Sequence, residues 1–95
     1  MENIYARTVA VVTVDEPNMS YETNEFQVRK DESTGIFYAG SDGGCSCYEG
    51  FNPANFAPYD SVGGVRTAFQ NWMATWRDGW GHEAAAWEDF NGAVH

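Results

Sequence analysis

Cys45 and Cys47, one residue apart, are the residues whose type and spacing first suggest chemistry. Two thiolates so placed can reach one metal ion, and a tetrahedral zinc site then needs two further ligands. His82, His95 and Asp42 are the candidates, and none stands at the spacing of a second Cys or His pair. A redox role would need a lowered thiol pKa. The neighbours Asp42 and Glu49 act the other way, because negative charge raises a thiol pKa and depletes thiolate. Small buried side chains that fix a loop are the plainer reading of both cysteines. Cys45, Cys47 and His82 are the foremost metal-ligand candidates, and the sequence predicts no cofactor.

Catalysis finds no better footing. A Cys–His pair using His82 lacks any sequence signature. Asp42 and Glu49 are recommended as a carboxylate pair only by their nearness in sequence. Gly40, Gly43 and Gly44 lack the Lys-Ser/Thr ending of a phosphate-binding loop. The chain is read as a non-enzyme.

Its charge is more informative. Fourteen acids stand against five bases, for a net charge of −9 over 95 residues. Residues 31–65 hold Asp31, Glu32, Asp42, Glu49 and Asp60 and no base at all. Nucleic acid and anionic membranes would repel such a surface, and a basic protein would attract it. The N-terminal Met-Glu-Asn lacks the basic region of a signal peptide, and the apolar run 9–14 is too short to span a membrane. The expectation is a cytoplasmic protein.

The elements that must position these groups follow from periodicity. Ninety-five residues make one domain, and fifteen aromatic residues supply its core. Residues 4–14 alternate apolar and polar with two partly apolar faces, which predicts a central strand. Pro17 and Asn18 close it. Residues 21–30 form a second strand with Phe26 and Val28 on one face, and residues 36–40 a third, joined by a turn at Gly35. Residues 41–59, with two cysteines and two prolines, read as a long loop.

Asp60 or Ser61 then caps a helix reaching about residue 76, with Val62, Val65, Phe69, Trp72, Met73 and Trp76 in one stripe. Gly63 and Gly64 each cost that helix about 1 kcal/mol against Ala, so a close backbone approach is expected there. Asp78 and Gly79 end it, with Arg77 against its dipole. Residues 82–90 form a second, shorter helix that Gly92 stops. The predicted class is α+β: a three-stranded antiparallel β-meander (1–40), a Gly/Cys/Pro loop (41–59) and a helical layer of one long and one short helix (60–92). Trp72 and Trp76 belong to the core, while Trp80, between two glycines, is the candidate exposed anchor.

Residues 30–51 also carry a recognisable wording. They run through a turn ending in Thr34-Gly35, an aromatic strand, and the sequence from Asp42 through Gly44, Cys45, Ser46 and Cys47. This resembles small proteins encoded by bacteriophages of actinobacteria, in which Ser stands at the position of Gly43 and Pro at that of Tyr48. No activity attaches to that family. The resemblance implies a phage accessory protein working in a bacterial cytoplasm.

Origin and charge together lead to one expectation. A small acidic phage protein would inhibit a host nucleic-acid-binding protein of a CRISPR, restriction or transcription system by imitating DNA. Nine net charges correspond to roughly 15 Å of duplex. Asp31, Glu32, Asp42, Glu49, Asp60 and Trp80 are the expected contacts. A metal or redox module on Cys45 and Cys47, or a non-catalytic assembly module, monomeric or a small oligomer, are the alternatives.

Overall fold

Strand β2 (Glu22–Asp31) is the axis of the molecule, pairing antiparallel with β1 (Val9–Asp15) on one side and β3 (Ile36–Cys45) on the other. The computed structural model describes residues 4–19, 22–45, 52–77 and 79–94. Among these, the sheet has four strands in the order β1-β2-β3-β4, the last being β4 (Ala57–Tyr59). Two helices, α2 (Val62–Met73) and α3 (Glu83–Val94), cover one face, and a single turn, α1 (Ile4–Arg7), lies near the other. No helix among the described residues is long and apolar enough to cross a membrane.

The antiparallel sheet and the two C-terminal helices match the expected class, but three predicted features need correction. The meander has a fourth strand, because residues 41–59 are not one loop. Ser41–Cys45 continue β3 against residues 22–26 of β2, and Pro53–Asn55 form a 3-10 turn before β4. Gly43 allows this: a Cβ there would collide with the Thr23 carbonyl of the neighbouring strand. Pro58 is tolerated since β4 is an edge strand of only three residues.

The second correction concerns β1, which is the opposite edge and not a central strand. Its first residues are helical instead. Thr8 closes α1, with its N–H and its hydroxyl both donating to the Ile4 carbonyl at 3.0 and 2.6 Å. Arg29 holds that corner from β2, donating to the Thr8 hydroxyl and carbonyl at 2.8 and 2.9 Å. A register shift between Ala10 and Val12 then lets Val11 and Val12 both pack on the core.

The third correction is at the helix ends. Ser61 is the N-cap, its Oγ accepting from Gly64 N at 3.3 Å, but α2 stops at Met73 rather than near residue 76. Trp76 still enters the core from the following turn. Arg77 therefore lies past the helix and pairs with Glu22. Helix α3 runs on to Val94, through Gly92.

The core is aromatic. Phe26 from β2, Phe69 from α2 and Phe90 from α3 are each at most 2% exposed. Phe69 and Phe90 stack at 4.4 Å, Phe26 tilts against Phe69 at 5.3 Å, and Trp87 meets Phe69 edge-on at 4.9 Å. Burying each such ring stabilises the fold by about 1.5–3 kcal/mol. Arg66 adds a polar tie between the helices, donating to Asn91 Oδ1 at 2.7 Å.

Candidate acidic binding surface

The acids singled out from sequence fall at two places. Asp31 ends β2 opposite Ile36, and Phe37 pairs with Tyr59, so Asp60 follows just beyond the same end of the sheet. Asp31, Glu32 and Asp60 thus gather across two strand spacings of about 4.8 Å each. Asp31 is turned inward. Its Oδ1 accepts from Ser33 N at 3.0 Å and from Ser33 Oγ at 2.6 Å, leaving the residue only 6% exposed. The Ser33 hydroxyl is the main reason its pKa lies below the ordinary value; burial opposes this, while the Ser33 and Thr34 N–H groups and Arg7 add to it. Asp31 shapes the turn, and Glu32 and Asp60 stand exposed.

Asp42 lies six positions along β3 from Ile36, on the order of 20 Å away. Its Oδ1 accepts from Gly43 N and its Oδ2 from Asn52 N, both at 2.8 Å, so one carboxylate ties β3 to the residue that caps the 3-10 turn. Glu49 and Cys47 lie outside the described residues. Cys45 ends β3, but its side chain also lies outside them.

Register brings other acids to Asp42. Asp15 pairs with Glu25 and Glu25 pairs with Asp42, which by strand alternation sets three carboxyl groups abreast on the face opposite the helices. Like charges directly opposite are ordinarily disfavoured. Beside them α1 lays Tyr5 over Arg29, with the guanidinium 4.7 Å from the ring centre, and Tyr5 meets Phe56 edge-on at 5.9 Å. Burial pushes the Tyr5 hydroxyl above its usual pKa; Arg29 pulls it down, while Glu25 and Asp42 push it up. Among the described residues no group of three or more His, Cys, Asp or Glu is placed to hold a metal ion, so the row is a strip rather than a chelate.

The five bases do little to neutralise this surface. Arg7 donates to the Tyr38 hydroxyl at 3.1 Å, Arg29 serves Thr8, Lys30 lies 5.3 Å over the Phe37 ring, and Arg66 serves Asn91. Arg77–Glu22, at 2.8 Å, is the ion pair found among the described residues. With its side chains 75% and 52% exposed, it contributes about 0–1 kcal/mol.

One acid is wholly structural. Glu16, 5% exposed, leaves the end of β1 and accepts from Asn24 Nδ2 at 2.8 Å through Oε1. Through Oε2 it accepts from Arg77 N at 3.1 Å and Gly79 N at 3.2 Å. Asn24 Oδ1 in turn accepts from Trp72 Nε1 at 3.0 Å. This chain ties sheet, helix and the α2–α3 connection together. Gly79 is required in it, since a Cβ would meet Pro17 Cδ at 2.6 Å and Trp76 Cε3 at 2.7 Å.

Next to this latch stands Trp80, 82% exposed, as the sequence led one to expect. His82 follows, its Nε2 lying 3.2 Å from Asn18 Nδ2. An amide nitrogen can only donate, so the imidazole accepts at Nε2. His82 is exposed and contacts neither Asp42 nor β3 in any hydrogen bond seen among the described residues.

Sequence reasoning missed Asp15, Glu25 and Glu16. The alternation of β2 does place Glu25 on its polar face. Which residues stand beside it depends on register, and the Asp42-Gly43-Gly44 stretch reads as a turn. Compared with family models, curated proteins and solved structures, the chain matches none of them.

Proposed function

We propose that this protein is a non-catalytic acidic module, a phage-type inhibitor that docks on the basic, nucleic-acid-binding surface of a host CRISPR, restriction or transcription protein. What supports the reading is the imbalance of its ion pairs. Fourteen acids face five bases, and four of those five bases are spent on hydroxyl, amide, carbonyl or ring partners rather than on carboxylates. The net charge of −9 is thus left for a partner to meet.

The row Asp15–Glu25–Asp42 has a spacing suited to that role. Neighbouring strands set its charges about 4.8 Å apart. One strand of duplex DNA sets its phosphates about 3.4 Å apart along the axis. The row is less dense than DNA but of the same order, and Glu32 and Asp60 extend the acidic surface to the far end of the sheet. Cys45 and Cys47 have no part in this reading, and neither does a cofactor.

Trp80 supports a second reading, that of an assembly module joining copies or partners through an exposed ring. The two are separated by one experiment. Tagged protein is used to capture partners from a host lysate, and the bound fraction is challenged with duplex DNA. Release by DNA supports the acidic reading; retention that is lost with Trp80→Ala supports the assembly reading.

A further inference from the structure

Strand β1 is an edge of the sheet, and its residues 12–15 present an open ladder. Glu16 N donates to the Asn24 carbonyl at 2.8 Å, next in register to the Asp15–Glu25 pair. By antiparallel alternation the main-chain groups of Val14 and Val12 also turn to β2, and those of Thr13 and Asp15 turn outward. Both residues are exposed, and no hydrogen bond from another element reaches them among the described residues. The devices that commonly blunt an edge are sparse here. β1 has no proline and no lysine, and its bulge, between Ala10 and Val12, leaves the residues after it in regular register.

Negative charge lies on both faces of this edge. The Asp15 carboxyl stands on the face opposite the helices, at the end of the acidic row. On the helix face, Asp89 of α3 borders a hollow of about 320 Å3 whose walls include Val14, Pro17 and Ala85. Ala85 and Asp89 are one turn apart on α3, so they share its side toward β1. Among the described residues no lysine or arginine borders the hollow.

We propose that β1 receives, as a fifth strand, an extended segment of the basic partner that carries two adjacent basic residues. The proposal rests on the acidic reading above and adds which part of the partner is taken. Main-chain bonds to Thr13 and Asp15 supply the attachment, as in other strand additions. Side-chain alternation supplies the selectivity. A residue opposite Asp15 points to the same face as its carboxyl, and opposite charges so paired attract. Its neighbour, opposite Val14, points to the helix face and the hollow. There an aliphatic stem lies along Val14, Pro17 and Ala85 while the charge reaches Asp89. A single base would answer only one of the two carboxylates. A second copy of β1 is the poorer occupant, because each copy carries a net charge of −9 and residues 9–15 contain no base.

The test is an NMR titration of the 15N-labelled full chain with acetyl-Thr-Lys-Arg-Thr-Val-amide. Paired antiparallel, this peptide sets its lysine opposite Asp15 and its arginine opposite Val14. Saturable shifts at Thr13, Asp15 and Ala85, with slowed amide exchange at Thr13 and Asp15, are the expected result. A peptide with glutamine at both basic positions should bind about tenfold more weakly, and Asp89→Asn should weaken the parent peptide about two- to fivefold. Glu88→Gln, at an exposed position outside the hollow, should leave it unchanged. N-methylation of the peptide's second threonine keeps the charge but removes a ladder donor, and should abolish the slowed exchange at Thr13. Shifts confined to Gln27 and Asp42, or no saturable shift at all, would overturn the added strand and leave the acidic reading standing. Slowed exchange at Thr13 that grows with protein concentration and needs no peptide would assign the edge to a second copy instead. Equal binding of the glutamine peptide at every residue would overturn both the strand and the acidic reading.

Discussion

Removing the Glu16 carboxylate should be among the most damaging single changes to this fold, although the residue is formally a charged one. Among the described residues, Asn24 Nδ2, Arg77 N and Gly79 N converge on it as donors. A hydrogen bond to a charged group is worth about 1.5–3 kcal/mol, and a buried donor left without a partner costs about 1–3 kcal/mol. The Gly79 bond is buried, whereas the other two are part-buried and regain some water. The total for Glu16→Ala is therefore about 3–5 kcal/mol, a large share of the roughly 5–15 kcal/mol that stabilises a typical domain. In thermal terms, the lower figure is a fall on the order of 15 °C. Glu16→Gln keeps the shape and one acceptor oxygen, and should lose about 1–2 kcal/mol.

Urea unfolding followed by tryptophan fluorescence reads this directly, since Trp72 and Trp76 lie in the core. The midpoint should fall while the slope stays constant. Asn24→Ala should couple to Glu16→Ala by about 0.5–3 kcal/mol in a double-mutant cycle, because both act on one hydrogen-bonded chain. A Glu16→Ala protein within 1 kcal/mol of the parent would refute the latch.

Three further expectations are simpler to check. Gly63→Ala should stabilise α2 by about 0.5–1 kcal/mol, its Cβ meeting only Ser61 Oγ at 3.8 Å, whereas Gly64→Ala should destabilise, its Cβ lying 2.9 Å from Tyr59 Cδ1; paired melting curves decide. Asp31 has a pKa lowered chiefly by the Ser33 hydroxyl, so its contribution is present above the ordinary carboxylate pKa and lost as pH falls through the folded value. Asp31→Asn should flatten the fall of the urea midpoint as pH drops below the ordinary carboxylate value. Tyr5 has a pKa raised chiefly by burial, so stability should decline once pH exceeds the ordinary tyrosine value of 10.0, and Tyr5→Phe should remove that part of the alkaline loss.

Much of the frame is legible in the chain because it depends on local signals. The stripe Val65, Phe69, Trp72 and Met73 is buried as its spacing requires, and Ser61 caps α2. Asn18 and Gly35 take the positive φ angles, 67° and 77°, that their turns need. Of the two helix glycines, only Gly64 meets a close neighbour. The failures are those of tertiary context. Residues 4–7 alternate like a strand, yet Arg29 from β2 and the Thr8 hydroxyl hold them in a helical turn. Gly40-Ser-Asp-Gly-Gly44 has turn composition, but the partner strand supplies its ladder. The acidic row was hidden for the same reason: Asp15, Glu25 and Asp42 are far apart in sequence, and only pairing sets them abreast. Asp31 and Asp42 also show that an acid chosen for its charge can be engaged in holding backbone N–H groups.

The central claim, that the net negative charge of the surface carries the binding, is tested most directly by the salt dependence of the captured complex. The parent protein should bind more weakly as salt rises, because exposed charges are screened beyond about 8–10 Å at physiological ionic strength. Asp15→Asn with Glu25→Gln, which remove two of the row's three charges and leave the Asp42 clamp and the Glu16 latch in place, should bind more weakly at low salt and respond less to added salt. An affinity that is flat with salt and unchanged in this double variant would contradict the account.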